Sequence, residues 1–215
     1  EHEWDVLLFT ARTLGLDVIG VSFHVGSFAS SPGVFESGVE KALQAIDLVK
    51  HFSTGSSGFL GRATNIVQAV DGVSFSLPVG KTLGIVGESG CGKSTLARLV
   101  TRLIDPSSGS VFLDGVDITT LSGKALREMR RKLQIIFQDP YSSLNPRHSI
   151  GQIIGDPMRI QGIVNKANEK AEVQELMQRV GLNPEHYNRY PHEFSGGQRQ
   201  RIGIARALSL RPSVI

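Results

Sequence analysis

The sequence predicts an α/β protein whose second half is mainly helical. Two apolar runs, at residues 82–86 and 133–137, have the length and composition of strands that are covered on both faces. The first run leads through a glycine-rich loop into a helical stretch, so we expect the order strand, loop, helix there. From residue 149 to residue 182 the apolar spacing is helical, with Pro157 and Gly162 as interruptions.

Turn and end signals place the other elements. Asp114-Gly115 is a pair that supplies the positive φ angles of a tight hairpin, so we expect short strands on both sides of it. Arg211-Pro212 ends the last helix, because the residue before a proline is pushed out of the helical region. The remaining predicted elements are strands at 73–77, 110–113 and 116–118 and helices at 94–104, 124–132 and 198–208.

The first 46 residues differ in charge from the rest. Of the 23 basic and 20 acidic residues of the chain, 2 and 6 respectively lie before residue 47. We therefore expect two parts, an N-terminal αβα fragment at 1–46 and a larger domain at 47–215. The patterns within and after the fragment predict a helix at 4–14, a strand at 17–23, a helix at 35–49 and a Gly/Ser-rich loop at 53–58.

The composition argues against several classes of protein. With 40% hydrophobic and 20% charged residues, the chain has the make-up of an ordinary globular protein. No run approaches the roughly 18 to 20 apolar residues of a membrane-spanning helix, and the acidic start is unlike a secretory signal. The single cysteine, Cys91, cannot form an internal disulfide. No dense Lys/Arg run with interleaved aromatic residues occurs, so we expect no nucleic acid partner. Because the sequence predicts neither a membrane-spanning helix nor a secretory signal, we expect a soluble, intracellular protein.

The loop after residues 82–86 has the spacing G-x-x-x-x-G-K-[ST] between a strand and a helix, which is the context that this phosphate-binding motif requires. Backbone N–H groups of such a loop turn inward on phosphates, Lys93 adds a positive charge, and Ser94 offers its hydroxyl to Mg²⁺. The alternative is a glycine-rich turn with a surface lysine. The predicted nucleotide-binding residues are Gly87, Glu88, Ser89, Gly90, Cys91, Gly92, Lys93, Ser94 and Thr95.

A second glycine motif precedes the last predicted helix, where Phe194 is followed by Ser195, Gly196, Gly197 and Gln198. The glycines allow close backbone approach, the serine offers a hydroxyl, and the helix points its positive end outward. This motif resembles the signature sequence of ABC ATPases. The resemblance implies that these four residues bind the γ-phosphate of ATP held by the P-loop of a second subunit. Taken alone, the Ser-Gly-Gly run could also be a turn and a helix cap.

Gln138 lies between the two glycine motifs, in the stretch Ile-Phe-Gln-Asp-Pro at 136–140. This stretch resembles the Q-loop of ABC ATPases, in which the glutamine reaches Mg²⁺ and the attacking water. Gln138 is therefore a candidate catalytic residue and, with Ser94, a candidate metal ligand. The continuation at 141–147 resembles the ATP-binding subunits of dipeptide and oligopeptide importers, and the resemblance as a whole covers residues 47–215.

The resemblance implies a fold, ligands, partners and a location. The fold would be that of a P-loop NTPase of ABC type with a helical subdomain, and ATP and Mg²⁺ would be the cofactors. The partners would be a second nucleotide-binding subunit and transmembrane permease subunits docked near residues 138–147. The expected function is ATP binding for peptide import, at the periphery of the cytoplasmic face of the cell membrane.

The sequence departs from the family pattern in two places. It stops inside the strand that in this family carries the Walker B Asp-Glu pair, and the D-loop and switch histidine do not appear either. We therefore expect a domain incomplete at its C-terminus that binds ATP without efficient hydrolysis. The aromatic residue that stacks on adenine is not found at 64–67, which leaves Phe52, Phe59, Ile66 and Val67 as candidates.

Residues 17–27 resemble a strand and loop of ornithine-type pyridoxal-phosphate decarboxylases. The resemblance places His24 on the cofactor ring and Ser27 near its phosphate. One strand of an eight-stranded barrel cannot build a cofactor site, so we expect His24 to bind no ligand. The open alternatives to an importer subunit are a chimeric or truncated nucleotide-binding fragment with no transport role and a decarboxylase fragment. In a further alternative, the strand at 17–23 joins the sheet of the ATP-binding domain.

Overall fold

The computed structural model describes residues 21–24, 41–54 and 65–215, which fall in two units, Glu1–Leu126 and Arg127–Ile215. The predicted helix at 4–14 lies outside the described residues, as do Ser27 and Phe59. In chain order the strands are β1 Val21–His24, β2 Lys41–Thr54, β3 Asn65–Pro78, β4 Thr82–Ile85, β5 Ser108–Leu113 and β6 Val116–Asp117, and the helices are α1 Lys93–Val100, α2 Gly123–Lys132, α3 Pro140–Ser143, α4 Ile150–Ile160, α5 Glu169–Arg179 and α6 Gly196–Leu208.

A four-stranded antiparallel sheet forms the first unit's main layer, with its strands in the order β3, β2, β5, β6. The strand predicted at 73–77 is confirmed inside β3. The hairpin prediction is confirmed as well: Leu113 pairs with Val116, and Asp114 and Gly115 between them have φ angles of 50° and 77°. Two consecutive residues with positive φ form the turn whose twist matches that of the flanking strands.

Strand β2 runs without a break through residues 46 and 47, where the charge of the sequence changes. The predicted helix at 35–49 is wrong for residues 41–49, which are extended and pair with β3 and β5. A bulge interrupts the pairing between Ala45 and Leu48, and Asp47 there has a φ of 46°. Leu43, Ala45 and Leu48 are buried, so the bulge gives them an irregular spacing that imitates a helical pattern.

Strand β4, which precedes the glycine-rich loop, pairs with β1. The pairing is antiparallel and places Val21 opposite Ile85 and His24 opposite Thr82. The described part of the strand predicted at 17–23 is therefore extended and lies beside β4. Among the described strands β1 is the one neighbour of β4, and the side chains of β4 alternate between exposed and half-buried. The expectation that residues 82–86 are covered on both faces is wrong, since such coverage needs a layer on each side of the strand.

Helix α1 is shorter than the predicted helix at 94–104. It ends at Val100, and Arg102 beyond it has a φ of 53°, which a helix does not allow. Arg102 is 6% exposed, and its side chain donates to the carbonyl oxygens of Ile118 at 3.0 Å and Thr119 at 3.1 Å. This arginine therefore ties the end of α1 to the segment after β6.

Helices α4, α5 and α6 surround the core of the second unit. The helical prediction for 149–182 is confirmed in two pieces, because the chain leaves α4 at Gln161 and Gly162 has a φ of 68°. Pro157 lies inside α4 and does not interrupt it. The helices predicted at 124–132 and 198–208 are confirmed as α2 and α6. The largest fully buried side chains of this core are Ile150, Ile154, Met158, Met177 and Ile202.

The second apolar run, at 133–137, does not form the predicted buried strand. Leu133 makes an isolated parallel bridge to Val214, and the N–H of Gln134 donates to the carbonyl oxygen of Val214 at 3.0 Å. Phe137, at the other end of the run, is 40% exposed. A buried strand needs neighbours along its whole length, and within the described residues this run has one bridge.

An ion pair joins α4 to the first residue of α5, and the side chains of Arg159 and Glu169 are 50% and 12% exposed. Arg159 donates from Nε and Nη2 to the two carboxylate oxygens of Glu169, at 3.0 and 2.6 Å, and its Nη1 lies 3.1 Å from Asp156. Gly155 leaves room for this carboxylate, because an added Cβ would lie 2.6 Å from its Oε1. The hydrogen bonds from Arg159 hold the pKa of Glu169 below its ordinary value of 4.5.

We expect the second unit to lose stability on acidification through Glu169. Because the pKa is lowered in the folded protein, the carboxylate contributes stability above pH 4.5 that is lost as the pH falls through the lowered pKa. The three tyrosines of the chain all lie in this unit, so their near-UV signal follows its unfolding by urea. Between about pH 5 and pH 3, Glu169→Gln should lose less stability than the unsubstituted chain. Equal losses would contradict the prediction.

Candidate functional site

The glycine-rich loop between β4 and α1 surrounds the ammonium group of Lys93. The Nζ atom donates to the carbonyl oxygens of Gly87 at 2.7 Å and Glu88 at 2.6 Å, and it lies 3.5 Å from the Sγ atom of Cys91. Lys93 is 8% exposed. The alternative of a surface lysine is therefore wrong, because the loop's own carbonyl dipoles hold this cation at its centre.

Helix α1 begins at this loop without a side-chain cap. Its N-cap residue, Gly92, has a φ of 98°, and among the described residues no side chain caps the first turn. The first N–H groups of a helix have no partner within it and carry the positive end of the helix dipole. Ser94 is exposed and Thr95 is half-buried in this turn, and Glu88 and Ser89 are exposed in the loop. The arrangement suits an anionic ligand.

Three glycines shape the loop for different reasons. Gly92 approaches β3 so closely that an added Cβ would lie 2.1 Å from the carbonyl oxygen of Ala69. At Gly87 an added Cβ would lie 2.6 Å from the Sγ atom of Cys91. Gly90 has a φ of 84° but has open space around it. Glycine is therefore required at position 92 by the positive φ angle and by the close contact with Ala69, and at position 90 by the positive φ angle alone.

A cavity of about 380 Å³ lies between the loop and strand β3. Val70, Ile85 and Leu96 supply apolar wall, while Asp71 and Lys93 add one charge of each sign. This volume lies within the range of small-molecule sites. The glycine-rich loop therefore has space beside it that could hold part of a ligand.

Phe52 and Val67 form an exposed apolar pair near the ends of β2 and β3. They are directly opposite in the antiparallel register, so their side chains share one face of the sheet. Their exposures are 40% and 49%. Val67 is two residues from Ala69, about 7 Å along the strand from the contact with the loop. Ile66 is also exposed, but the alternation of the strand places it on the opposite face.

The second glycine motif forms the start of α6. The hydroxyl of Ser195 accepts from the N–H of Gln198 at 3.4 Å, and the N–H of Ser195 donates to Oε1 of Gln198 at 3.0 Å. This reciprocal pair is a capping box, so the interpretation as a turn and helix cap is correct for the local structure. Gly196 and Gly197 are exposed, and an added Cβ at either would meet nothing within 4 Å. The backbone of the turn is therefore open to approach.

Gln138 is exposed, and the residues after it are fixed to α6. The guanidinium carbon of Arg199 lies 4.0 Å from the centre of the Tyr141 ring. Arg206 donates to the carbonyl oxygen of Ser143 at 2.6 Å, and burial lowers the pKa of Arg206. Helix α3 is thus held on α6 at two points.

The predicted site residues form two sets. Residues 87–95 lie together in the first unit, whereas Gln138 and residues 195–198 lie in the second. Across the described ranges no three His, Cys, Asp or Glu side chains form a metal cluster. The metal ligands predicted from the sequence are of another kind, a hydroxyl and an amide.

Sequence reasoning missed the residues that hold the two motifs in place. Ala69 fits against Gly92 through its backbone carbonyl, which carries no residue-specific signal. Arg199 was visible in the run after the second motif, but no local pattern pointed to Tyr141 as its neighbour. Contacts between segments far apart in the sequence leave no periodic trace.

A glycine-rich loop with the spacing G-x-x-x-x-G-K-[ST] between a strand and an uncapped helix is typical of P-loop nucleotide-binding proteins. Residues 70–215 match the sequence model of the ABC transporter family, and the chain belongs to this family. A dimeric post-hydrolysis structure of the ATP-binding cassette MJ0796, bound to ADP and Pi, is 25% identical with a TM-score of 0.63, over 79% of this chain and 70% of that one. CbiO1 from Clostridium perfringens, part of the ABC transporter complex CbiONQ, is also 25% identical, with a TM-score of 0.61 over 80% and 63%. The predicted ABC-type fold is confirmed.

Curated relatives are ATP-binding proteins of peptide transport. Di/tripeptide transport ATP-binding protein DppF from Pseudomonas aeruginosa (strain UCBPP-PA14) is 49% identical over 177 residues, which are 82% of this chain and 54% of that protein. Oligopeptide transport ATP-binding protein AppF from Bacillus subtilis (strain 168) is 51% identical over 177 residues, with the same two shares. The chain spans about half the length of these relatives.

The N-terminal part has a different match. Residues 1–59 match the pyridoxal binding domain of pyridoxal-dependent decarboxylases, and most of them lie outside the described residues. The 177 residues matched by DppF are more than the stretch 47–215 contains, so the likeness to transport proteins begins before Asp47. No helix of the described ranges is long and apolar enough to cross a membrane.

Proposed function

We propose that the chain binds ATP with Mg²⁺ at residues 87–95, as the nucleotide-binding part of a peptide importer of ABC type. The observation that carries this proposal is the buried ammonium of Lys93, held by loop carbonyls at the uncapped start of α1. A triphosphate would offer that ammonium stronger, anionic acceptors and would accept from the N–H groups of the loop and helix. The names of the relatives support the importer and the peptide substrate class.

Mg²⁺ suits the residues proposed to hold it. This ion takes oxygen ligands, keeps several waters and is usually bound through few protein groups together with substrate phosphates. The exposed Ser94 hydroxyl in the first turn of α1 and the amide oxygen of Gln138 are donors of this kind. When bound, the ion would neutralise phosphate charge. Ser94 would orient it beside the loop, and Gln138 would position the attacking water.

We further propose that Ser195, Gly196, Gly197 and Gln198 contact nucleotide held by a second copy of the chain. The open backbone of the turn and the positive end of α6 support this, as does the dimeric state of the MJ0796 cassette. Permease subunits at the cytoplasmic face of the membrane would dock near residues 138–147, where Tyr141 is 64% exposed.

The match of residues 1–59 to a second family favours one other interpretation, a chimera of two unrelated parts. The division at residues 46–47 is one proposal for the junction. Strand β2 pairs with β3 and β5 on both sides of residues 46–47, so a junction at this point would divide a strand of the sheet between the two parts. A junction before Lys41 would instead leave the whole four-stranded sheet in the second part. In a chimera, nucleotide binding by the loop would persist without a transport role.

Equilibrium calorimetric titration with ATP and Mg²⁺ tests the proposal. Loss of the charge-assisted hydrogen bonds of Lys93 should weaken binding by about 10- to 100-fold in Lys93→Ala. Lys81→Ala, which removes an exposed lysine just before β4, is the matched control and should bind like the unsubstituted chain. Binding that is absent, or that is equal in both variants, would refute the proposed function.

We propose Phe52 as the stacking surface for adenine, on the strength of its exposure and its position beside Val67. Phe52→Ala should weaken ATP binding by about tenfold, since stacking of a base on an aromatic ring contributes about 1–3 kcal/mol. Phe52→Tyr keeps the ring and should retain the affinity. The same calorimetric titration measures both variants, and equal affinities for Phe52→Ala and Phe52→Tyr would assign adenine elsewhere.

A further inference from the structure

Arg199 holds the chain that enters the second glycine motif. It lies in the first turn of α6, and its Nε donates to the carbonyl oxygens of Pro191 at 2.9 Å and Phe194 at 3.0 Å. Phe194 directly precedes Ser195, the N-cap residue of α6. The two hydrogen bonds therefore fix the backbone immediately before the signature turn, which is residues 195–198.

The face of the same guanidinium is occupied by Tyr141. The guanidinium carbon lies 4.0 Å from the ring centre, well within the range of a cation–π contact. The hydrogen bonds of Nε lie in the guanidinium plane, whereas the ring contact is with its face. The two kinds of contact therefore restrain Arg199 in different directions.

Tyr141 is itself anchored to the segment that contains Gln138. The N–H of Tyr141 donates to Oδ1 of Asp139 at 2.8 Å, a hydrogen bond that lowers the pKa of Asp139. The hydrogen bond from Arg206 to Ser143 holds the other end of α3 on α6. One continuous set of contacts thus runs from Asp139 through Tyr141 and Arg199 to the residue before Ser195.

We infer that Tyr141 and Arg199 are positioning residues that couple the segment 138–143 to the signature turn. The roles of those two segments rest on the proposed function, but the coupling itself is a property of the second unit. Tyr141 is 64% exposed, so it can be contacted from outside while the face of its ring rests on Arg199. A displacement of Tyr141 would release one restraint on Arg199 and so loosen the entry to the turn.

Amide hydrogen exchange measured on the full chain tests this inference. The N–H of Arg199 bonds to the carbonyl oxygen of Ser195 at 2.9 Å, and it reports the order of the turn together with the N–H of Gln198. In Tyr141→Ala these two amides should exchange about fivefold faster or more, because the free energy of the lost cation–π contact corresponds to a factor of about this size in the opening equilibrium. Arg199→Lys has a methylene where arginine has Nε–H and lacks the planar face that contacts the Tyr141 ring, so it should have the same effect.

The conservative variant separates positioning from general loss of structure. Tyr141→Phe keeps the ring face and should restore the exchange rates, while the amide of Ser209 at the far end of α6 should be unchanged in every variant. Equal exchange at Gln198 and Arg199 in Tyr141→Ala and Tyr141→Phe would overturn the inference. The exchange measurement uses no nucleotide. If the ATP titration shows no dependence on Lys93, the proposed function is refuted, but the exchange rates still test the coupling through Tyr141 and Arg199.

Discussion

Gly92→Ala should abolish ATP binding and destabilise the first unit. The added Cβ would lie 2.1 Å from the carbonyl oxygen of Ala69, and the alanine would have to keep a φ of 98°. The clash is with the backbone of β3, whose pairing with β2 resists a shift. Left-handed backbone costs an alanine about 1–2 kcal/mol. With the clash added, we expect a loss of about 3–5 kcal/mol, at the upper end for a single substitution.

Gly90→Ala is the matched control for this prediction. Gly90 has a φ of 84°, similar to that of Gly92, but an added Cβ there meets open space. It should therefore cost only the backbone term of about 1–2 kcal/mol. Hydrogen exchange of the β2 and β3 amides and the calorimetric ATP titration compare the two variants. If Gly92→Ala and Gly90→Ala lose the same stability and the same ATP affinity, the contact of residue 92 with Ala69 adds nothing to the cost of the positive φ angle.

The features that the sequence predicted correctly are those whose cause is local. Asp114-Gly115 forms its turn because two neighbouring residues accept positive φ, and Ser195 caps α6 with a partner three residues away. The loop around Lys93 is local in the same sense, since its carbonyl partners lie five and six residues earlier. Such features need no knowledge of the rest of the fold.

The incorrect predictions concern segments whose structure depends on distant neighbours. Residues 41–49 are a strand because β3 and β5 pair with them, and the bulge at Asp47 hides the two-residue alternation that would have revealed it. Residues 133–137 have a strand-like composition, but among the described residues their pairing is one bridge, to Val214. The contact of Tyr141 with Arg199, which was not predicted, also joins segments that are far apart in the sequence. Pairing partners determine these structures more than composition does.

Gly151→Ala should destabilise the second unit by about 2–3 kcal/mol, the cost of overpacking a filled site. The added Cβ would lie 2.3 Å from Cζ of Tyr187 and 2.5 Å from Cε1 and Cε2. The Tyr187 ring packs against the core of α4, α5 and α6, and burial raises its pKa. Urea unfolding followed by the near-UV tyrosine signal measures the loss.

A double-mutant cycle with Tyr187→Ala decides whether the ring is the cause. With the ring removed, Gly151→Ala has space for its methyl group, and alanine is the better helix former by up to about 1 kcal/mol. In that background the substitution should be neutral or stabilising, which gives a coupling of about 2–3 kcal/mol between the two positions. An undiminished cost would show that the ring does not exclude a side chain at this position. Gly155→Ala should cost less than Gly151→Ala, because its nearest neighbour is the end of the Glu169 side chain, which can turn away at the cost of its hydrogen bonds to Arg159, and not a ring packed against the core.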